Sequence, residues 1–176
     1  INPVNDSPIL GDLTSLTLLE GTSTDIPLTA SDIDSQNLEY LAFSSDHITV
    51  ILSGDILTII PAPYWSGTET IAVTVSDGDL SDSGELSITV LSVNDAPILS
   101  PVSDQELDED NSVDVFLNAS DIDGDYLSFS VFESNGMGNS LSGNVLTVTP
   151  PNNYNGETSI GITVSDGEYS DSSYFN

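Results

Sequence analysis

The sequence predicts an all-β chain of two tandem Greek-key sandwiches, and three observations carry that expectation. The chain repeats itself at a fixed offset of 89 residues without a gap: Asn5-Asp6-Ser7-Pro8-Ile9-Leu10 returns as Asn94-Asp95-Ala96-Pro97-Ile98-Leu99, and Thr74-Val75-Ser76-Asp77-Gly78 returns as Thr163-Val164-Ser165-Asp166-Gly167. Self-similarity at a fixed period marks an array of like units. Within each copy, short runs rich in β-branched residues alternate between apolar and polar and are bounded by turn residues. No stretch shows helical periodicity or a helix start signal.

The first copy spans residues 1–93, and its expected strands are Leu13–Leu19, Thr24–Ala30, Leu38–Ser44, Ile48–Leu52, Asp55–Ile60, Glu69–Ser76 and Glu85–Val93. Ser53-Gly54 makes a tight hairpin between the fourth and fifth, and the stretch from Pro61 to Gly67 reads as a loop. Seven short strands in this length suggest a Greek-key sandwich of the immunoglobulin type. The second copy spans 94–176, with strands expected at Gln105–Leu107, Ser112–Ala119, Leu127–Val131, Asn139–Leu141, Val145–Thr149 and Thr158–Ser165. Its seventh strand is expected only as Tyr174-Phe175-Asn176, so the second sandwich reads as truncated before its last strand. With the linker-like opening from Ile1 to Asp6, this suggests an interior piece of a longer array.

Composition narrows the function. There is no Lys or Arg against 29 Asp plus Glu, a formal charge of -29. Phosphate recognition needs cationic side chains, so nucleic acid is excluded as a partner and an anionic membrane surface is disfavoured. No run is apolar enough to insert in a membrane as a helix. A folded chain with this charge repels itself unless cations screen or bind it. Cys is absent, which removes disulfides and thiol chemistry.

The acidic residues gather when strand direction is followed. Each antiparallel strand reverses the axis, so Glu20, after the first strand, falls at the far end of the first sandwich, beside the linker. Asp121 and Asp123 follow the second strand of the second sandwich, and Asp166 follows its sixth, which puts all three at that sandwich's near end. Asn94 and Asp95 form the linker itself. Uncompensated, such carboxylates repel strongly. Calcium suits them best, because it takes six to eight oxygen ligands in flexible geometry; magnesium keeps more waters, and zinc wants His or Cys. Asn5, Asp6, Asp32, Asp34 and Asp77 form the equivalent set at the near end of the first sandwich, without an upstream glutamate. Glu109 is expected to serve a downstream junction.

These motifs resemble a known family. Ala30-Ser31-Asp32-Ile33-Asp34 and Ala119-Ser120-Asp121-Ile122-Asp123 are similar to the A-x-D-x-D motif of cadherin repeats. Glu20 and Glu109 resemble the glutamate that closes the first strand there, Val93-Asn94-Asp95-Ala96-Pro97 the cadherin linker, and Ile71 to Gly78 and Ile160 to Gly167 its final aspartate motif. With Pro61…Tyr64…Gly67 and Pro150…Tyr154…Gly156, the whole chain resembles the bacterial cadherin-like tandem repeats of large secreted adhesins. The resemblance implies a secreted or cell-surface protein in which calcium at inter-domain linkers rigidifies a rod. The Asp-Arg-Glu tripeptide of animal cadherins is absent, so fewer ions per junction are expected.

Several signals read as structural. Asp121-Ile122-Asp123-Gly124-Asp125 fails as an EF-hand loop, because Tyr126 and Phe132 stand where Gly and Glu are required. His47, the single His, has Gly136 as its counterpart in the other copy and reads as a surface residue. Asp79 and Glu168 read as surface loop residues. Trp65 reads as packing near the junction with the second copy, Tyr64 and Trp65 stacking on sugar being the alternative. The expected function is a non-enzymatic, calcium-binding structural or adhesive module, and the alternative is a carbohydrate-binding module of a secreted polysaccharide-active protein. Expected partners are neighbouring repeats of the same chain, with a cell-surface or polysaccharide ligand or a homophilic contact beyond them.

Overall fold

The computed structural model describes residues 4–35 and 37–176; the first three residues of the linker-like opening, Ile1, Asn2 and Pro3, lie outside the described residues. Two compact units divide the chain, one ending at Val93 and the other beginning at Asn94.

Unit 1 packs two sheets. The first has four strands in the order β2 (Leu16–Leu19), β9 (Ser81–Leu91), β8 (Gly67–Ser76) and β5 (Glu39–Ala42), with β2 parallel to β9 and the rest antiparallel. The second orders β3 (Thr24–Pro27), β7 (Ile56–Pro61) and β6 (Ile48–Ser53), all antiparallel. A two-stranded pair, β1 (Ile9–Leu10) with β4 (Ala30–Ser31), closes one end. β-Branched residues favour these pleated, half-buried surfaces, and the period-two alternation sets which side chains enter the core. Along β7, Leu57, Ile59 and Pro61 are buried while their neighbours are half-exposed. Leu28, Ile48, Leu57, Ile59, Ile71, Val73, Leu86, Ile88 and Val90 form the core.

Unit 2 repeats the plan with β13 (Ser128–Glu133), β16 (Ile160–Ser165) and β17 (Ser170–Phe175) in one sheet, and β11 (Val113–Phe116), β15 (Val145–Thr149) and β14 (Gly138–Ser142) in the other. The pair β10 (Ile98–Leu99) and β12 (Ala119–Ser120) mirrors β1 and β4. The core shares the 89-residue offset position by position: Leu117 matches Leu28, Met137 Ile48, Leu146 Leu57, Ile160 Ile71 and Phe175 Leu86.

Three details differ from the sequence reading. β1 and β10 were not expected as strands; each is two residues long, too short for a periodic signal. The closing strand of unit 2 begins at Ser170 rather than Tyr174, because Ser170–Phe175 complete the ladder with β16. Gln105–Leu107, expected as a strand, does not form one, although its counterpart, residues 16–18, lies within β2. The chain is all-β, and among the described residues no helix is long and apolar enough to cross a membrane, which says nothing about β-barrel spans.

Candidate metal centre

In unit 2 the expected acidic residues converge on one end through the turns that carry them. Asp121 directly follows β12, and its Oδ1 accepts the N–H groups of Asp123 (2.9 Å) and Gly124 (3.1 Å), an Asx turn that wraps the backbone around the carboxylate. Gly124 holds φ 79°, a left-handed conformation that glycine adopts without steric cost. Asp123 turns back to accept the N–H of Asp95 at 2.7 Å. Asp166 follows β16; its Oδ1 accepts N–H from Glu168 and Tyr169 at 2.7 and 2.6 Å, and its Oδ2 accepts Asn94 Nδ2 at 2.9 Å. Asn94, Asp95, Asp121, Asp123 and Asp166 are thus linked into one network.

Unit 1 contains the same network. Asp32 accepts the N–H of Asp34 and Ser35 at 2.7 and 2.6 Å, Asp34 accepts that of Asp6 at 2.8 Å, and Asp77 accepts Asn5 Nδ2 at 2.8 Å. At the opposite end of that unit, Glu20 N–H donates to Leu91 O, and Glu20 Oε1 accepts the N–H of Val93 at 2.6 Å.

Two electrostatic facts mark these ends. The second carboxylate oxygens, Oδ2 of Asp32 and Oδ2 of Asp121, are buried and have no hydrogen-bond partner. Buried polar atoms are ordinarily paired. In unit 2, one carboxylate oxygen from each of Asp121, Asp123 and Asp125 comes within 4.8 Å of the other two. Hydrogen bonds also tune the neighbours: the N–H groups of Leu80 and Asp79 and the Asn5 amide hold Asp77 below the usual carboxylate range. Burial works to raise Asp166, but Asn94 and the N–H groups of Glu168 and Tyr169 together outweigh it and hold the group low.

Asp125 belongs to this cluster, although the sequence offers it only as part of the rejected EF-hand loop. Asp79 and Glu168 take part through their backbone N–H groups, as turn residues. His47 is exposed, as the sequence reading expected, but it has partners. Its ring stacks on Trp65 with centroids 4.7 Å apart and planes 4° from parallel. Its Nδ1 lies 2.6 Å from Glu69 Oε1, and Ser45 Oγ donates to the other oxygen of Glu69. These bonds hold Glu69 below its ordinary range, Ser45 contributing most. Trp65 packs on the unit 1 core, whereas Tyr64 is 64% exposed. This cluster has no counterpart in the second copy, where Gly136, Tyr154 and Thr158 replace His47, Trp65 and Glu69.

The chain is 28% identical over 130 residues to chitinase A of Pseudoalteromonas piscicida; the match takes in 72% of this chain but only 16% of that protein. Among solved structures it resembles human protocadherin-24 EC1-2, with a TM-score of 0.55 and 17% identity over 98% of this chain and 96% of that one. It also resembles the human desmocollin-1 ectodomain, with a TM-score of 0.53 and 15% identity over 99% of this chain and 37% of that one. These likenesses show a cadherin-like sandwich fold. A model of the bacterial Ig domain matches residues 5–89 and again 94–174, and the chain belongs to that family, as two tandem copies.

Proposed function

We propose that this chain is a non-catalytic, calcium-binding structural module of a large extracellular repeat protein, made of repeats at 1–93 and 94–176. The observation that carries the reading is the buried Asp121 Oδ2, which has no partner and belongs to a carboxylate gathered with Asp123 and Asp125. No Lys or Arg exists in the sequence to neutralise that charge. A hard divalent cation supplies what the protein lacks, and oxygen donors in a flexible turn suit calcium.

The proposed junction ligands are Glu20, Asn94, Asp95, Asp121, Asp123 and Asp166. Covalent continuity supports the grouping: Glu20 holds Val93, the next two residues are Asn94 and Asp95, and these are tied to Asp166 and Asp123. Asn5, Asp6, Asp32, Asp34 and Asp77 are proposed as the matching half-site of unit 1. Bound calcium would restrain the linker and stiffen the array. Extracellular modules bind calcium at roughly 0.1–1 mM, so the ion would be present outside a cell and absent in cytosol. Thermal unfolding with calcium and then with chelator tests the proposal, and an unchanged melting temperature refutes it.

A second reading, a module that holds a polysaccharide, is favoured by the match to a chitinase and by the exposure of Tyr64. Trp65 supports it less, since His47 covers one of its faces. Sedimentation with insoluble chitin, lost on Tyr64→Ala, is the expected outcome of that reading.

A further inference from the structure

Unit 2 carries a sheet face that unit 1 does not match. Its rows follow the register across β13, β16 and β17. Ser128 opposes Ser165, which opposes Ser170; one step on, Ser130 opposes Thr163, which opposes Ser172. These positions alternate with the residues packed on the core, so their hydroxyls face away from it. The Thr163 and Ser172 hydroxyls bond each other at 2.8 Å, which holds both in place while each keeps acceptor capacity for a ligand. The third row is aromatic. β13 takes in an extra residue, Phe132, between Val131 and Glu133, and a bulge of this kind re-aims a side chain. The Phe132 ring settles against Gly161, where a Cβ would come 2.6–2.9 Å from three ring carbons. Tyr174 meets that ring edge to face, with centroids 5.2 Å apart and planes 77° from parallel, and its hydroxyl donates to Glu133. Both rings stay open to solvent, Phe132 at 51% and Tyr174 at 55% exposure.

The two copies differ on this face in one direction. By the 89-residue offset, Glu39, Leu41, Ala72 and Glu85 of unit 1 become Ser128, Ser130, Gly161 and Tyr174. Both carboxylates go, a hydroxyl replaces an apolar side chain, and the methyl group that would collide with Phe132 is removed. In a chain of formal charge -29, the three rows contain no charged side chain.

We propose that this face binds an uncharged, extended polysaccharide, with the Phe132 ring stacked on one sugar and the serine and threonine rows bonded to the hydroxyls of its neighbours. The inference rests on the reading of the chain as a module that holds a polysaccharide, and it places the site in unit 2 rather than at Tyr64. The C–H face of a sugar ring is weakly positive and suits the negative face of an aromatic ring. Sugar hydroxyls donate and accept, as do the hydroxyls they would meet. A sulfated or uronic polysaccharide is disfavoured, because anionic groups are recognised by cationic side chains and the chain has no Lys or Arg. A protein partner is disfavoured as well, since two of the three rows offer no apolar side chain to bury.

The test sediments the whole chain with insoluble chitin and with cellulose, both uncharged, and repeats the measurement with variants. The expected result is binding to at least one of the two polymers, unchanged in Tyr64→Ala and weakened at least about tenfold in Phe132→Ala. Because Phe132 covers Gly161, a second variant guards against misfolding. Ser128→Glu, Ser130→Leu and Tyr174→Glu together give unit 2 the side chains that unit 1 carries at the same positions, so circular dichroism should stay native while binding is lost. Failure to sediment with either polymer overturns both the inference and the polysaccharide reading beneath it. Binding that Phe132→Ala or the folded triple variant retains in full overturns the inference alone, and if Tyr64→Ala then abolishes it, the polysaccharide reading stands with its site in unit 1. The inference is also overturned if the protein self-associates and Phe132→Ala dissolves the association, which would make a second copy the occupant of the face.

Discussion

Replacing Asp121 by Asn separates its two oxygens by role. In Asp121→Asn the amide oxygen can still serve the turn, accepting the N–H groups of Asp123 and Gly124 that reach Oδ1 at 2.9 and 3.1 Å. The other atom becomes an NH2 donor where Oδ2 is now buried without a partner. The turn should survive, and the metal ligand should not. With a dissociation constant of roughly 0.1–1 mM, 10 mM calcium gives a ligand ratio of about 10–100 and a stabilisation of about 1.4–2.7 kcal/mol by linkage. For a domain of this size that is a rise in melting temperature of roughly 6–20 °C. If the substitution weakens binding by about tenfold, the gain falls to about 0.4–1.4 kcal/mol. Calorimetry with and without calcium, followed by chelator, reads both values. Asp114→Asn is the control: Asp114 accepts the Thr147 hydroxyl at 2.6 Å and lies on β11, outside the network, so its calcium shift should equal that of the parent. A calcium shift undiminished in Asp121→Asn would refute the assignment, as would an equal loss in the control.

Leu57→Ala and Leu146→Ala remove matching core side chains, both 0% exposed, and each should cost its own unit about 2–5 kcal/mol in denaturant unfolding. Gly11→Ala would place a Cβ 2.1 Å from Thr29 Oγ1 and 2.9 Å from its carbonyl oxygen; a loss of about 1–3 kcal/mol is expected, with partial recovery in the double variant Gly11→Ala, Thr29→Ala. The depressed Glu69 carboxyl gives a pH prediction. Because its folded pKa lies below the unfolded value, its bonds to Ser45 and His47 contribute stability above the ordinary carboxylate pKa of about 4.3, and that contribution fades as pH falls through the folded value. Trp65, the single Trp, stacks on His47 and should report the change by its emission at low pH while circular dichroism still shows native sheet; an identical titration in Glu69→Gln would refute this.

Where repetition and alternation coincide, the sequence was sufficient. Leu57 and Ile59 alternate along β7, return as Leu146 and Val148 along β15, and are buried in both. The turn carboxylates were legible for a related reason: Asp32, Asp77, Asp121 and Asp166 follow strands whose direction can be traced. Contacts that neither repeat nor follow from local pattern were not legible. His47 and Glu69 are 22 residues apart, and their meeting depends on how the loop before β6 folds beside β8 and Trp65, in one copy only. Asp82 and Asp171 were likewise missed; they accept the N–H groups of Leu10 and Leu99 at 2.8 and 2.9 Å and tie β1 and β10 to their units. Each of those bonds spans 72 residues, a separation that leaves no trace in a period of two or 3.6.

The two networks commit the turn carboxylates to local hydrogen bonds in two ways. Asp121 commits Oδ1 to its own turn and keeps Oδ2 back, and Asp32 does the same in the other copy. Asp166 and Asp77 use Oδ1 on their own turns and Oδ2 on an asparagine of the segment leading into the unit. A free carboxylate loses rotamer freedom when it captures an ion, but these side chains are already fixed by two or more backbone N–H donors. Those donors also offset part of the mutual repulsion that would otherwise drive the acidic ends apart. Under the proposed calcium reading, a cation would meet oxygens that are already aimed, and little of its interaction would be spent on building the site. The same turns explain why both copies keep the geometry: the hydrogen bonds that organise these carboxylates are local to each unit.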